Sequence, residues 1–322
     1  MSGGLQDATG TPRRVTVSRH RVVQGVLAAV LCLLSAACAR AGAAPAIVIG
    51  AGSSDEQRVL AAIARGALER DGVPAEIRPD VGDTLGLRRQ ALADQIDLLW
   101  GYTGAAWALG LREPAPPADP LDSWERVREA DEDQGLRWLE PTQANATLAL
   151  VVRRSDLPED RAQRGLGWLA GELSGGERRL CADEEFVSRP DGLRSLAAEY
   201  GIDTARMPRR ATSEAGAIAA VRDGTCFAGL STATSGAARA AGLVPVPDEL
   251  RVFPAFVIAP VVREGSPAER PEVVDALRAV TAAIDTTTMA RLNAQVHAGA
   301  DPADVAATFL DDLEQPRADE SL

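Results

Sequence analysis

Few side chains in this 322-residue chain are placed to make or break covalent bonds. Its only histidines are His20 and His297, and no lysine is present, so all basic side chains except these two are arginine. There is no Cys/His metal-ligand spacing and no Gly-x-Ser-x-Gly nucleophile elbow. Asp183, Glu184 and Glu185 could supply acid–base chemistry, but no partner residue stands near them in sequence. The residues with the clearest chemical character are aromatic: Trp100, Tyr102 and Trp107 fall within eight positions of a chain that is only 4% aromatic. At the end of a strand such side chains either fill the core or project into a ligand crevice beyond the sheet, and residue type alone leaves both readings open.

An apolar run from Ile96 to Trp100 has strand length and ends in the Gly101-Tyr102-Thr103-Gly104 turn, the kind of strand end that projects side chains into a ligand crevice in α/β sheets. Upstream, Ala46–Gly50 reads as a strand and Asp55–Arg70 as a helix, with a capping box from Ser53/Glu56 or Ser54/Gln57. The apolar stripe of this helix is Val59, Leu60, Ile63, Ala67 and Leu68. A strand at Ala75–Pro79 and a helix near Thr84–Ala93 complete a β-α-β-α-β order, which implies a parallel layer with right-handed crossovers. The Pro-rich stretch after Glu113 cannot pair in a sheet, and Ser123–Gln134 reads as a charged helix with a solvated face. A strand at 146–152 leads into a second α/β series: a segment near 166–173, helices at 191–200 and 213–223, and strands at 179–182 and 226–230. Residues 245–260 cross back through a strand, and helices near 271–284, 287–297 and 302–313 close the chain. Periodicity thus gives an α/β protein with two lobes. Gly50-Ala51-Gly52 opens like a dinucleotide fingerprint, but Asp55 stands at the third glycine position and would repel a pyrophosphate. The net charge of −12 and pI of about 4.8 exclude the basic face that nucleic acid requires.

Asp97 followed by Tyr102-Thr103-Gly104 resembles the D…YTGT pattern of the glycine betaine/choline/osmoprotectant-binding proteins of ABC importers. Further pieces occur in the order of that family: Ile47–Gly50 with Glu56-Gln57, Asn145-Ala146-Thr147, Glu185-Phe186-Val187-Ser188-Arg189-Pro190-Asp191-Gly192, Tyr200-Gly201, Phe253-Pro254-Ala255-Phe256, Pro260–Arg263, Leu292-Asn293, and Val305-Ala306 with Phe309-Leu310. The resemblance spans roughly residues 46–312. It implies a type II periplasmic-binding-protein fold with two hinge crossings: lobe I from 46–147 plus 252–313, and lobe II from 148–251. It also implies a binding protein without catalytic residues, cofactor or metal, which closes on a small solute and delivers it to a membrane permease with its ATPase. Tyr102 matches the first position of the family's aromatic cage and Phe256 the last. Leu148 and Leu230 stand where the family has tyrosines, which leaves an electrostatically flatter pocket. Thr103 belongs to the turn, and Arg189 matches the carboxylate-binding arginine, a role suited to its rigid bidentate fork. Ala105, Gly52 and Ala233 replace polar residues of the family pattern. The solute expected from this set is small, partly apolar and carboxylate-bearing, with betaines first. A sensing or orphan surface lipoprotein of the same fold, with another carboxylate-bearing ligand, is the alternative. Leu173-Ser174-Gly175-Gly176-Glu177 mimics the signature of ABC ATPases, but without a lysine no Walker A loop exists for it to act on.

The N-terminus reads as an export signal. Arg13, Arg14, Arg19 and Arg21 precede an apolar run, Val22–Leu34, that is too short to span a bilayer comfortably. Residues 34–38, Leu-Ser-Ala-Ala-Cys, resemble a bacterial lipobox, so residues 1–38 are expected to be a signal peptide with lipidation at Cys38 and a tether at 39–45. Ordinary cleavage at the Ala-rich site is the other reading. The protein would then lie outside the cytoplasm, on the membrane face through its lipid or free in the periplasm. In that oxidising setting a Cys181–Cys226 disulfide is expected, with two buried free thiols as the alternative. A disordered tail is expected over 314–322.

Overall fold

The computed structural model describes residues 45–113, 117–160, 164–188 and 190–315. It is built on two five-stranded sheets. The first begins with β1 (Ile47–Gly50), followed by helix α1 (Asp55–Arg70), β2 (Ala75–Arg78), α2 (Thr84–Leu92) and β3 (Leu98–Tyr102). α1 starts where its capping residues predict: Ser54 is the N-cap, and its hydroxyl accepts from the Gln57 amide at 3.2 Å. Such a cap is worth about 1 kcal/mol. All five residues of the expected apolar stripe of α1 are buried. They pack on β1 and β3 from one side and against the C-terminal helices from the other.

β1 pairs in parallel with both β2 and β3, as the crossover order requires. α3 (Pro120–Glu132) then leads to a short strand, β4 (Leu136–Trp138), at the sheet edge. The charged face of α3 is not wholly solvated. Asp131 is fully buried, where it accepts from Arg88 of α2 at 2.6 Å and from the Trp138 indole at 2.7 Å. Charge counting along one helix cannot reveal a partner 43 residues upstream.

The second sheet is assembled from β5 (Leu148–Arg153), β6 (Leu180–Ala182), β7 (Arg209–Ala211), β8 (Ala228–Thr232) and β9 (Leu243–Pro245). Its helices are α4 (Leu166–Ser174), α5 (Glu214–Arg222) and α6 (Gly236–Ala240). The continuous helix expected over 191–200 is instead interrupted at Gly192, whose backbone is non-helical, and only Ser195–Tyr200 is regular α-helix. Cys181 on β6 and Cys226 just before β8 are joined by a disulfide across a separation of 45 residues. β10 (Ile258–Arg263) returns the chain to the first sheet, where it lies antiparallel between β3 and β4. α7 (Pro271–Ala283), α8 (Thr286–His297) and α9 (Pro302–Glu314) finish the described chain. Glu314, expected to begin the tail, is the last residue of α9 and pairs with Arg70 at 2.8 Å.

The two lobes follow one plan. Their strand orders are β2-β1-β3-β10-β4 and β7-β6-β8-β5-β9. In each, three parallel strands are followed by an antiparallel strand that enters from the other half of the chain. The two connecting segments run side by side: the Phe256 amide donates to Asn145 Oδ1 at 2.7 Å, the Ala146 amide to the Phe256 carbonyl at 2.9 Å, and the Thr147 hydroxyl to the Pro254 carbonyl at 2.6 Å. Among the described residues no helix is long and apolar enough to cross a membrane.

Candidate functional site

A cleft of about 620 Å³ opens between the lobes. Its first wall is made at the C-terminal ends of β1 and β3, where an α/β sheet leaves a crevice. Tyr102 ends β3 there and is 9% exposed. Its hydroxyl donates to Glu56 Oε1 at 2.7 Å. Burial, and after it the Glu56 charge, push the phenol pKa well above its ordinary value. The hydroxyl is therefore a neutral donor that fixes the ring in the cleft wall.

Phe256 supplies the second ring of the cleft. It can sit there because residue 104 is glycine: a Cβ at that position would lie 2.5 Å from the Phe256 ring. The Tyr-Thr-Gly turn thus performs two tasks, holding one ring on Tyr102 and clearing space for the other. Thr103 serves the scaffold rather than the cleft. It is fully buried, with its hydroxyl donating to the Ala255 carbonyl at 3.3 Å and accepting the Val257 amide at 3.1 Å.

Leu148, at the start of β5, lines the cleft from the connecting segment. Leu230 does not. It pairs with Leu150 in the β5–β8 ladder, two residues deeper than the Leu148–Thr232 pair that reaches the cavity, and it is buried in the core of the second lobe. The expected strand at 226–230 in fact runs 228–232, and that offset brings Thr232 to the cleft instead. Ala105 and Gly52, both small where the family pattern is polar, also line it. Trp100 is fully buried in the core of the first lobe, and Trp107 packs at the edge of the cluster beneath β3 and β4. Arg189 and Cys38 lie outside the described residues.

Several cleft residues were not singled out from the sequence. From the first lobe come Glu56, at the N-terminal turn of α1, and Asn293 of α8; from the second come Glu214, Thr234 and Ser235. Asn293 links the lobes. Its Nδ2 donates to Glu56 Oε2 at 2.7 Å and to the Thr234 carbonyl at 2.8 Å. The helices approach closely because residue 236 is glycine; a Cβ there would collide with the Asn293 backbone. Glu56 reads from sequence as a capping residue, yet its position directly after the β1 turn places it at the mouth of the crevice, which is the signal that could have found it. Asn293 is marked in the sequence by its place in the Leu292-Asn293 piece of the family pattern, while its role escapes notice because its partner is 237 residues away. Among the described residues no group of His, Cys, Asp and Glu could hold a metal ion.

Comparison with known proteins agrees with this geometry. Residues 45–312 match the family model described as the substrate-binding domain of ABC-type glycine betaine transport systems. The glycine-betaine-binding protein of Pseudomonas aeruginosa is 32% identical over 294 residues, covering 87% of this chain and 92% of that one. The glycine betaine-binding protein YehZ of Escherichia coli K12 is 30% identical, covering 87% of this chain and 94% of its own. The apo structure of YehZ superposes with a TM-score of 0.76 at 29% identity, covering 84% of this chain and 99% of that one. A two-lobed fold, an interlobe cleft walled by a tyrosine and a phenylalanine, and a family match over nearly the whole described chain lead to one assignment. The chain belongs to the substrate-binding family of ABC-type glycine betaine transport systems, extracytoplasmic proteins that carry a small solute to a permease and are not enzymes.

Proposed function

We propose that this protein binds a betaine-like quaternary ammonium solute in the interlobe cleft and hands it to its permease. The observation that carries the reading is the pair of rings, Tyr102 and Phe256, on one wall of a cavity large enough for such a solute. A ring face attracts a desolvated cation by about 0.5–2 kcal/mol per good contact. Two relatives compared above are named for glycine betaine, which supports the same headgroup here. On this reading Leu148 packs against the methyl groups without adding a ring face. Arg189 takes the solute carboxylate, a role supported by its place in the Glu185–Gly192 motif. Residues 46–147 with 252–313 move as one lobe and 148–251 as the other, closing on the solute. Residues 1–38 are read as the export signal, with lipidation at Cys38 tethering the protein to the outer face of the membrane.

A melting screen against glycine betaine, proline betaine, carnitine, choline and proline tests the solute class. A ligand at 100 times its dissociation constant stabilises the fold by about 2.7 kcal/mol, an easily read shift. Upward shifts with the quaternary ammonium compounds and none with proline are expected. A screen in which proline shifts the transition and the betaines do not would sink the assignment.

A further inference from the structure

Four carboxylates line the cleft, but they are not equivalent. Asp55 is paired with Arg58 and faces His297 at 3.6 Å. Asp83 is exposed and caps α2 by accepting the Gly86 amide at 2.8 Å. Glu214 is exposed and accepts from the Ser231 and Ser235 hydroxyls. Glu56 is half-buried, and both of its oxygens are held by neutral donors, Tyr102 Oη and Asn293 Nδ2, each at 2.7 Å. Among the described residues no Arg or His forms a salt bridge with it. Its negative charge is thus fixed in place, partly removed from water and uncompensated.

The surroundings push in the same direction. Gln57 and Asn293 both line the cleft and are 6% and 4% exposed, and each carries a side-chain oxygen without a hydrogen-bond partner, Gln57 Oε1 and Asn293 Oδ1. Gln57 Nε2 is already committed to the Trp100 carbonyl at 3.2 Å. Behind the hydroxyl edge of Tyr102, then, the wall holds buried oxygen acceptors that add to the negative charge of Glu56 and do not offset it. A trimethylammonium group on the Tyr102 face feels that charge through a site drier than bulk water, where Coulomb attraction is several times stronger than in solution.

Resting on the proposed binding of a quaternary ammonium solute, we infer that Glu56 is the specificity-determining residue that reads the solute's positive charge, supplying the electrostatic selectivity that Leu148 cannot. Tyr102 and Asn293 are positioning residues for its carboxylate. Shape and methyl contacts alone would not distinguish a quaternary nitrogen from a quaternary carbon; the ring faces of Tyr102 and Phe256 do so weakly, and a fixed carboxylate supplies the larger share.

The test uses solute pairs of one shape that differ by a single charge: glycine betaine against 3,3-dimethylbutanoate, and choline against 3,3-dimethylbutan-1-ol. Dissociation constants are measured for the wild-type protein, Glu56→Gln and Glu56→Asp, with melting temperature as the folding control. The wild type is expected to prefer each cation over its neutral-headed isostere by about tenfold or more, the order expected for one nearby opposite charge. Glu56→Gln should lose most of that preference, keeping only the part the Tyr102 and Phe256 ring faces supply, and Glu56→Asp, which keeps the charge, should retain most of it. If Glu56→Gln weakens cation and isostere equally, or leaves the preference intact, the inference is wrong. If Glu56→Gln does not fold, the wild-type preference measured as salt is raised decides: a preference that falls with salt supports the role, and one indifferent to salt refutes it. A wild type that binds neither member of either pair would overturn the solute assignment itself, a different outcome from losing the role of Glu56.

Discussion

The two lobes share a sheet plan but present unlike walls to the cleft. The first contributes both rings and the fixed carboxylate of Glu56, all from strand ends and a helix start that are tied into a buried core. The second contributes Thr232, Thr234, Ser235 and the exposed Glu214, with no aromatic side chain. The difference teaches where recognition is preorganised. Rings seated on a sheet terminus lose little freedom when a solute arrives, so the first wall can select the headgroup before closure. Short hydroxyl side chains offer reach but little surface, so the second wall completes the enclosure.

The lobes also differ in what holds them together. The first buries the Arg88–Asp131 pair, while the second is stapled by Cys181–Cys226. The largest expected effect exploits that contrast. Replacing Cys226 with serine opens a loop of 45 residues, and the chain-entropy estimate for such a loop is about 4 kcal/mol. Chemical denaturation should show that loss, with the second lobe melting before the first. An unchanged midpoint would mean the staple contributes nothing.

Next in size, Tyr102→Ala should weaken betaine binding by about ten- to a hundredfold, since it removes a ring contact and frees Glu56. Calorimetric titration reads this directly. Making the walls alike should act in the opposite direction: Leu148→Tyr places a ring on the wall that lacks one and should tighten binding by about three- to thirtyfold. No gain, with folding intact, would show that Leu148 does not contact the headgroup.

The smallest effect is spectroscopic. The chain has only two tyrosines. Burial and Glu56 raise the pKa of Tyr102, and burial with the Asp248 hydrogen bond raises that of Tyr200. Because the folded pKa values lie above the unfolded value of about 10, the folded state keeps protons that the unfolded state releases. Stability from these groups is intact below that pH and declines as pH rises above it. Native protein at about pH 11 should therefore show almost no tyrosinate absorbance until it unfolds. An ordinary titration near pH 10 would contradict the buried, carboxylate-anchored phenols.

Much of this was legible in sequence where the information is local. The start of α1 followed from Ser54 and its apolar stripe, and the β3 turn followed from the run ending in Tyr102. The short edge strands β4, β7 and β9 do not stand out in the sequence: Leu-Arg-Trp, Arg-Arg-Ala and Leu-Val-Pro carry arginine or proline where the equally short but wholly buried β6 is an apolar run. The family pattern puts Leu230 in the cage, whereas β8 seats it opposite Leu150 in the core of the second lobe, a placement set by strand pairing that a motif does not encode. The Asp131–Arg88 and Asn293–Glu56 contacts join residues 43 and 237 apart, and such pairings exist only once the chain has folded.

The central claim is that the wall bearing Tyr102 and Phe256 selects a quaternary ammonium headgroup. Its most direct test is calorimetric titration of glycine betaine into the wild-type protein and into Tyr102→Ala at matched folding. One saturable site in the wild type, strongly weakened in the variant, is the predicted result. Equal binding by both proteins would contradict the account.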